Sequence, residues 1–221
     1  MHVTDKQIVE SVGLRLIFAF CVPLSALPFI SCSRKIGDAK LSPSEANVYF
    51  QDLNASRLQK DAYFKTAPSS PLTPEQRTTF QHLNYFPPNL NLVFQLKLVK
   101  ITFHDSVGIA ASGGEMRPAV NFGEFNFEVG GKELHLHVYK MIGEDSTDLF
   151  LPFTDETSGT TTYAGGRYID LKEDSSEIYN LDFNYAYNPY CAYNHNYSCP
   201  IVPKENYLDV PIMAGEKNYS K

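Results

Sequence analysis

Residues 120–141 read VNFGEFNFEVGGKELHLHVYKM, and this stretch decides the fold class. In its first half Phe125, Phe127 and Val129 fall on one side of an extended chain. Phe122, Glu124, Asn126 and Glu128 fall on the other. Gly130-Gly131 follows, two residues that tolerate positive φ, and Lys132–Met141 then resumes as a second extended run. Two such runs joined by a two-residue glycine turn predict a β-hairpin. Upstream, residues 92–103 (LVFQLKLVKITF) alternate in the same way, with Leu92, Phe94, Leu96 and Leu98 opposite Gln95, Lys97 and Val99. Downstream, Asp148–Phe153, Arg167–Leu171, Glu177–Phe183 and Tyr207–Met213 are further strand candidates separated by Gly, Asp and Asn turns. So many short strands predict a mainly β chain of α+β type. The sheet is antiparallel and must curl into a barrel or sandwich to bury its apolar face.

Two helices are expected before the strands. Ser42-Pro43-Ser44-Glu45 carries a serine cap with proline in the first turn, and Val48, Tyr49, Leu53, Leu58, Tyr63 and Phe64 can share an apolar face if the helix bends near Asn54. Thr73-Pro74-Glu75-Gln76 is a second start, with Gln76 placed to complete a capping box. That helix should end near Leu83, before Pro87-Pro88. A single domain over 42–221 results, with helices in 43–83 and the β part in 91–221.

The first 31 residues read as a signal peptide. Lys6 and Arg15 precede an apolar run, LIFAFCVPLSALPFIS (16–31), that ends at Cys32. This is the pattern of a bacterial lipoprotein signal cleaved before a cysteine that is then acylated. Residues 32–41 would form the lipid-anchored tether, with the domain on the periplasmic or extracellular face of the membrane. The alternative is an uncleaved anchor, for which sixteen apolar residues with two prolines are short against a hydrocarbon core of about 30 Å. Cleavage would remove two basic and two acidic residues, so the formal charge of −6 would persist. An acidic domain without a Lys/Arg cluster argues against nucleic acid, and against membrane contact other than through the lipid.

The chain's most unusual composition lies in 182–199, DFNYAYNPYCAYNHNYSC, with five tyrosines, four asparagines and two cysteines. Combined with Pro152-Phe153-Thr154-Asp155-Glu156-Thr157-Ser158-Gly159, Gly166-Arg167-Tyr168-Ile169-Asp170, Ser198-Cys199-Pro200, Glu205-Asn206 and Ala214-Gly215-Glu216-Lys217, it resembles the bacterial and archaeal family known as domain of unknown function 1684. The resemblance runs from the Ser70–Arg77 helix start to Lys217, about two thirds of the chain. It implies membership but no activity. The sequence departs from the family pattern at Tyr185, where a basic residue is usual, and at His195.

Cys191 and Cys199 are an even pair in an exported domain, and a disulfide is the default expectation. Cys191, His195 and Cys199 also stand at C-x3-H-x3-C, which with His135 and His137 would suit zinc or copper, although the spacing is not an established metal pattern. No cofactor motif is present: Gly165-Gly166 is too short for a phosphate loop, and Ser158 lacks a nucleophile-elbow pattern. Tyrosine offers flat apolar area with a polar tip, and asparagine offers donors and acceptors, a combination that suits a small polar ligand. Arg167, Tyr168, Asn184, Asn188, Tyr190, Tyr193 and Asn206 are the expected ligand-binding residues. An enzyme is the second reading, a hydrolase or lyase with Asp182 or Glu205 as base and Arg167 holding an anion. In a third, Arg167 and Asp182 only lock loops together and there is no ligand.

Overall fold

The hairpin forms as its sequence requires. Strand β5 (Met116–Val129) pairs antiparallel with β6 (Lys132–Met141), and Val129 sits opposite Lys132 across the glycine turn. Both turn residues have positive φ, 61° at Gly130 and 84° at Gly131, the geometry a two-residue hairpin loop needs. These and all other details come from a computed structural model that describes residues 34–35, 41–101, 106–143 and 148–219. The described residues fall within one compact unit, Ser31–Lys221. The expected signal peptide and Cys32 lie outside the described residues.

The remaining strands are β1 (Arg34–Lys35), β2 (Val93–Lys97), β3 (Val99–Lys100), β4 (Ser106–Ala110), β7 (Asp148–Asp155), β8 (Arg167–Lys172), β9 (Ile178–Asp182) and β10 (Tyr207–Leu208). They make two sheets. One has the order β1-β2-β9; the larger follows β10-β7-β6-β5-β3, with β4 also paired to β5 and β8 to β7. Pairing is antiparallel except between β7 and β10. The sheets do not close into a barrel, so of the two expected architectures the sandwich is the one that fits.

Between the sheets lies the main core. Phe94 and Leu96 of β2 and Leu181 of β9 meet Phe125 and Phe127 of β5, Leu136 and Val138 of β6, and Leu151 and Phe153 of β7. Phe183 is fully buried at its centre, its ring 5.2 Å from Phe153, 5.8 Å from Phe127 and 6.1 Å from Phe94. Each such ring contributes about 1.5–3 kcal/mol through burial. The alternation expected for 92–99 holds: Leu92, Phe94, Leu96 and Leu98 are buried, while Gln95, Lys97 and Val99 are exposed.

Two local features escaped the pattern. The run expected as one strand over 92–103 breaks at Leu98, where β2 in the small sheet gives way to β3 in the large one. Phe122 was expected opposite Phe125, yet both are buried. The ladder shifts register between Asn121 and Gly123, and this bulge turns Phe122 inward.

Helix α1 (Pro43–Thr66) begins with a capping box between Ser42 and Glu45 and runs unbroken through Asn54. Only Leu53 and Phe64 of its expected apolar face are buried; Val48 and Leu58 are more than half exposed. Helix α2 (Pro74–Thr79) has the expected Thr73–Gln76 box but stops short of Leu83. The chain becomes extended at Phe80, so Phe80 and Leu83 join Phe64, Leu72 and Tyr193 in a second buried cluster. That cluster holds α1 against the tyrosine-rich loop.

Candidate functional site

The residues expected to bind a ligand divide into two groups. One group is buried and internally hydrogen-bonded. Arg167 begins β8 and is wholly inaccessible. Its Nη2 donates to Asp155 Oδ2 at 2.7 Å and to the Ile212 carbonyl at 2.9 Å, and its Nη1 donates to the carbonyls of Ala214 and Glu216. Asp155 is fully buried as well, and accepts from the Thr157 N–H at 2.6 Å. One guanidinium thus ties the C-terminal segment to β7 and β8. Burial works against its charge and Asp155 supports it.

The asparagines behave alike. Asn184 accepts from the Asn89 N–H at 2.8 Å and donates to the Asn89 carbonyl at 2.9 Å, pairing with that backbone as a strand would. Asn206 accepts from the His137 N–H at 2.9 Å and donates to the carbonyls of His137 and Pro152. It bridges β6 and β7 where their own register includes only Tyr139 and Phe150. Asn188 donates through its backbone to Glu216 Oε2 at 2.9 Å and through its side chain to the Lys217 carbonyl at 2.8 Å. Tyr193 donates to the same Glu216 carboxylate, and Lys60 Nζ meets Glu216 Oε1 at 2.5 Å. Gly215 allows this tail to thread under the loop: its φ is +74°, and a Cβ there would lie 2.6 Å from the Ala186 carbonyl.

The candidate bases do not converge with Arg167. Asp182 accepts from Tyr49 Oη at 2.8 Å and from the Asn184 backbone and side chain, with desolvation raising its pKa. Glu205 is exposed and accepts from Tyr139 Oη at 3.0 Å.

The second group lines a cleft of about 730 Å³ between α1 and the tyrosine-rich loop. Tyr168 and Tyr190 belong to it, with Tyr63, Tyr187 and Tyr197. Tyr190 stands edge-on to Tyr197 with centroids 5.2 Å apart, and its hydroxyl lies 3.4 Å from that of Tyr63. Polar groups reach the same space: Ser56, Gln59 and Lys60 from α1, Arg117 from β5 and Asp170 from β8. Lys60 Nζ sits 4.7 Å above the Tyr187 ring, and Tyr187 donates to Asp170 Oδ2 at 2.6 Å. Desolvation raises the pKa of Asp170, with the Tyr187 hydrogen bond opposing it. Arg117 Nη2 donates to the Ser198 carbonyl at 2.8 Å and meets Glu115 at 3.2 Å. Neither Arg167, Asp182 nor Glu205 lines this cleft.

Sequence reasoning missed Ser56, Gln59, Lys60 and Arg117. The first three recur with Tyr63 at helical spacing, 56, 59, 60 and 63, a polar stripe that was legible once α1 was assigned. Arg117 gave no local signal.

The expected disulfide is not formed. Cys191 and Cys199 are free and buried. The Cys191 N–H donates to Cys199 Sγ at 3.3 Å, and Tyr163 Oη lies 3.6 Å from Cys191 Sγ. Led by the Cys199 contact, these interactions bring the Cys191 thiol down to about 6, whereas Cys199 is raised. The three-ligand metal set is not assembled either. Among the described residues no three His, Cys, Asp or Glu side chains are grouped to hold a metal ion. His195 is exposed beside Cys191, while His137 is engaged by Asn121 at 3.1 Å.

Fold and cleft together define a mainly β sandwich with a helix-covered, tyrosine-lined site. The chain belongs to the family described as Protein of unknown function (DUF1684), whose model matches residues 78–217. The match begins at Thr78, eight residues inside the resemblance read from sequence. Among similar solved structures is the solution NMR structure of the uncharacterized protein from gene locus rrnAC0354 of Haloarcula marismortui. It is 32% identical, with 80% of this chain and 97% of that one covered and a TM-score of 0.63. No curated protein matches the chain.

Proposed function

We propose that the protein is a cell-envelope lipoprotein whose domain binds a small, polar, ring-bearing ligand, such as a sugar, in the cleft between α1 and the tyrosine-rich loop. The cleft itself carries the reading. Aromatic faces from Tyr190, Tyr197 and Tyr187 stand beside the acceptor Asp170 and the donors Ser56, Gln59 and Arg117. Of the residues expected from sequence, Tyr168 and Tyr190 serve this site. Arg167, Asn184, Asn188, Tyr193 and Asn206 are committed to internal hydrogen bonds. The acidic charge favours a small ligand over nucleic acid.

The test is a thermal-shift screen of the protein against sugars, nucleosides and organic acids, repeated with Tyr190→Ala and Tyr197→Ala. A saturable sugar hit weakened in both variants is expected. A hit that survives both unchanged places the site elsewhere.

Location rests on the apolar run before Cys32, and membrane attachment is through lipid at that residue. Among the described residues no helix is long and apolar enough to cross a membrane. Cys32→Ala should leave an unprocessed precursor or release the protein. A variant that fractionates and migrates like the parent removes the lipoprotein reading.

A further inference from the structure

The thiol pair borders the proposed sugar cleft through Cys199 and asks for a role of its own. Both sulfurs are buried, yet each borders an opening. Cys199 lines the large cleft, and Cys191 lines a separate cavity of about 290 Å³ with Tyr163 and His195. Both are held in place by their backbones. The Cys199 N–H donates to Ser112 Oγ at 3.0 Å, and its carbonyl accepts from the Ser112 N–H at 2.9 Å. Cys191 is fixed in the short 3-10 turn Tyr190–Ala192.

The surroundings stabilise negative charge on the Cys191 sulfur, whereas the contact with Cys191 and burial keep the proton on Cys199. The Cys191 N–H is aimed at Cys199 Sγ and the Tyr163 hydroxyl at Cys191 Sγ. The Arg117 guanidinium, anchored on the Ser198 carbonyl, borders the same cleft as Cys199. Outer hydrogen bonds of this kind orient a metal ligand.

The donor count then selects the ion. Tetrahedral zinc requires four ligands, and no third metal-ligating side chain joins the pair among the described residues. Two soft thiolates without nitrogen or carboxylate suit a soft monovalent ion that accepts two-coordination, and among biological metals that is copper(I). We infer that Cys191 and Cys199 bind one copper(I) ion as a two-coordinate bis-thiolate. Binding displaces the Cys199 proton, and any proton still on Cys191, to solvent and leaves two thiolates and one copper(I) with a net charge of −1. No electron is transferred, since the metal enters already reduced.

The experiment titrates the reduced full chain with copper(I) under anaerobic conditions, in competition with the chromophoric chelator bicinchoninate. Cys21→Ser and Cys32→Ser are present so that only the buried pair can respond. One equivalent of copper(I) should be retained, and X-ray absorption should show two sulfur neighbours and no nitrogen. Adding Cys191→Ser or Cys199→Ser should weaken binding by about 10²–10⁴-fold, the advantage a second tethered ligand supplies. In case a serine variant fails to fold, the unsubstituted chain gives a second measure: copper(I) should protect both Cys191 and Cys199 from N-ethylmaleimide. Equal copper retention in the single-serine variants overturns the proposal, as does a nitrogen ligand. So do zinc held as tightly as copper(I), two thiols that stay reactive with copper present, or a Cys191–Cys199 disulfide with no metal retained.

Discussion

Two polar clusters meet at the tyrosine-rich loop, and they are built in opposite ways. Around Arg167 the charges and asparagines are buried, and their donors are directed at backbone carbonyls and carboxylates of the same chain. In the cleft beside α1, tyrosine rings, Asp170 and Arg117 border open space. The residue types are nearly the same. What differs is exposure: the first set is sealed inside the fold and the second borders open space. A polar side chain enclosed and bonded within its own fold is a fastener, and one that faces a cavity can serve a ligand.

The largest effect should come from breaking the fastener. Arg167→Ala removes one partner of a fully buried pair and leaves Asp155 buried without it, a loss of about 3–5 kcal/mol. Urea denaturation measures it. Replacing both partners with Arg167→Met and Asp155→Leu should recover part of that loss, since no uncompensated charge remains. If Arg167→Ala is as stable as the parent but binds no sugar, the two clusters have been assigned the wrong way round.

Asn206→Ala should rank second. It strips partners from the backbone of His137 and from the Pro152 carbonyl at a place where β6 and β7 lack a continuous ladder. A cost of about 1–3 kcal/mol follows from leaving such buried groups unpaired. Loss of amide protection at His137, read by hydrogen exchange, would locate the effect at that join. Unaltered exchange there would mean the bridge is not what holds β6 to β7.

Tyr190→Ala should invert the pattern. Tyr190 is more than a third exposed, so stability should move by less than about 1 kcal/mol. Affinity for the sugar found by the screen should fall about tenfold, the worth of one stacked ring. A stability loss as large as that of Arg167→Ala would make Tyr190 another fastener.

The sequence exposed the hairpin, the caps and the alternation of 92–99 because those signals are local: turn glycines, a serine or threonine three residues before Glu or Gln, and period two. It missed the break at Leu98 and the bulge at Phe122, since both depend on which strand arrives alongside. The same limit governed the site. Composition pointed to the loop at 182–199, and Tyr168 and Tyr190 do border the cleft. Nothing local distinguishes Tyr190, which faces open space, from Tyr193 three residues later, which is buried on Glu216. Which ring is free is decided by α1, more than a hundred residues upstream in the chain.

The smallest effect is the most diagnostic of the cleft, and it lies in the pH dependence of binding. Desolvation holds the Asp170 pKa above the ordinary aspartate value. A sugar hydroxyl can donate to Asp170 only while the carboxylate is ionised. Affinity should therefore be full above this raised pKa and decline as pH falls through it, by no more than about tenfold per pH unit. Stability linked to the same proton runs the other way. A carboxyl whose folded pKa is raised binds its proton more tightly in the folded state, so its contribution is greatest at low pH and is lost as pH rises through the folded value. Affinity and stability should thus slope in opposite directions over one interval, and Asp170→Asn should flatten both. Affinity that strengthens on acidification, or a slope retained in Asp170→Asn, would show that Asp170 is not the acceptor and that the ligand is held by the tyrosines and Arg117 without it.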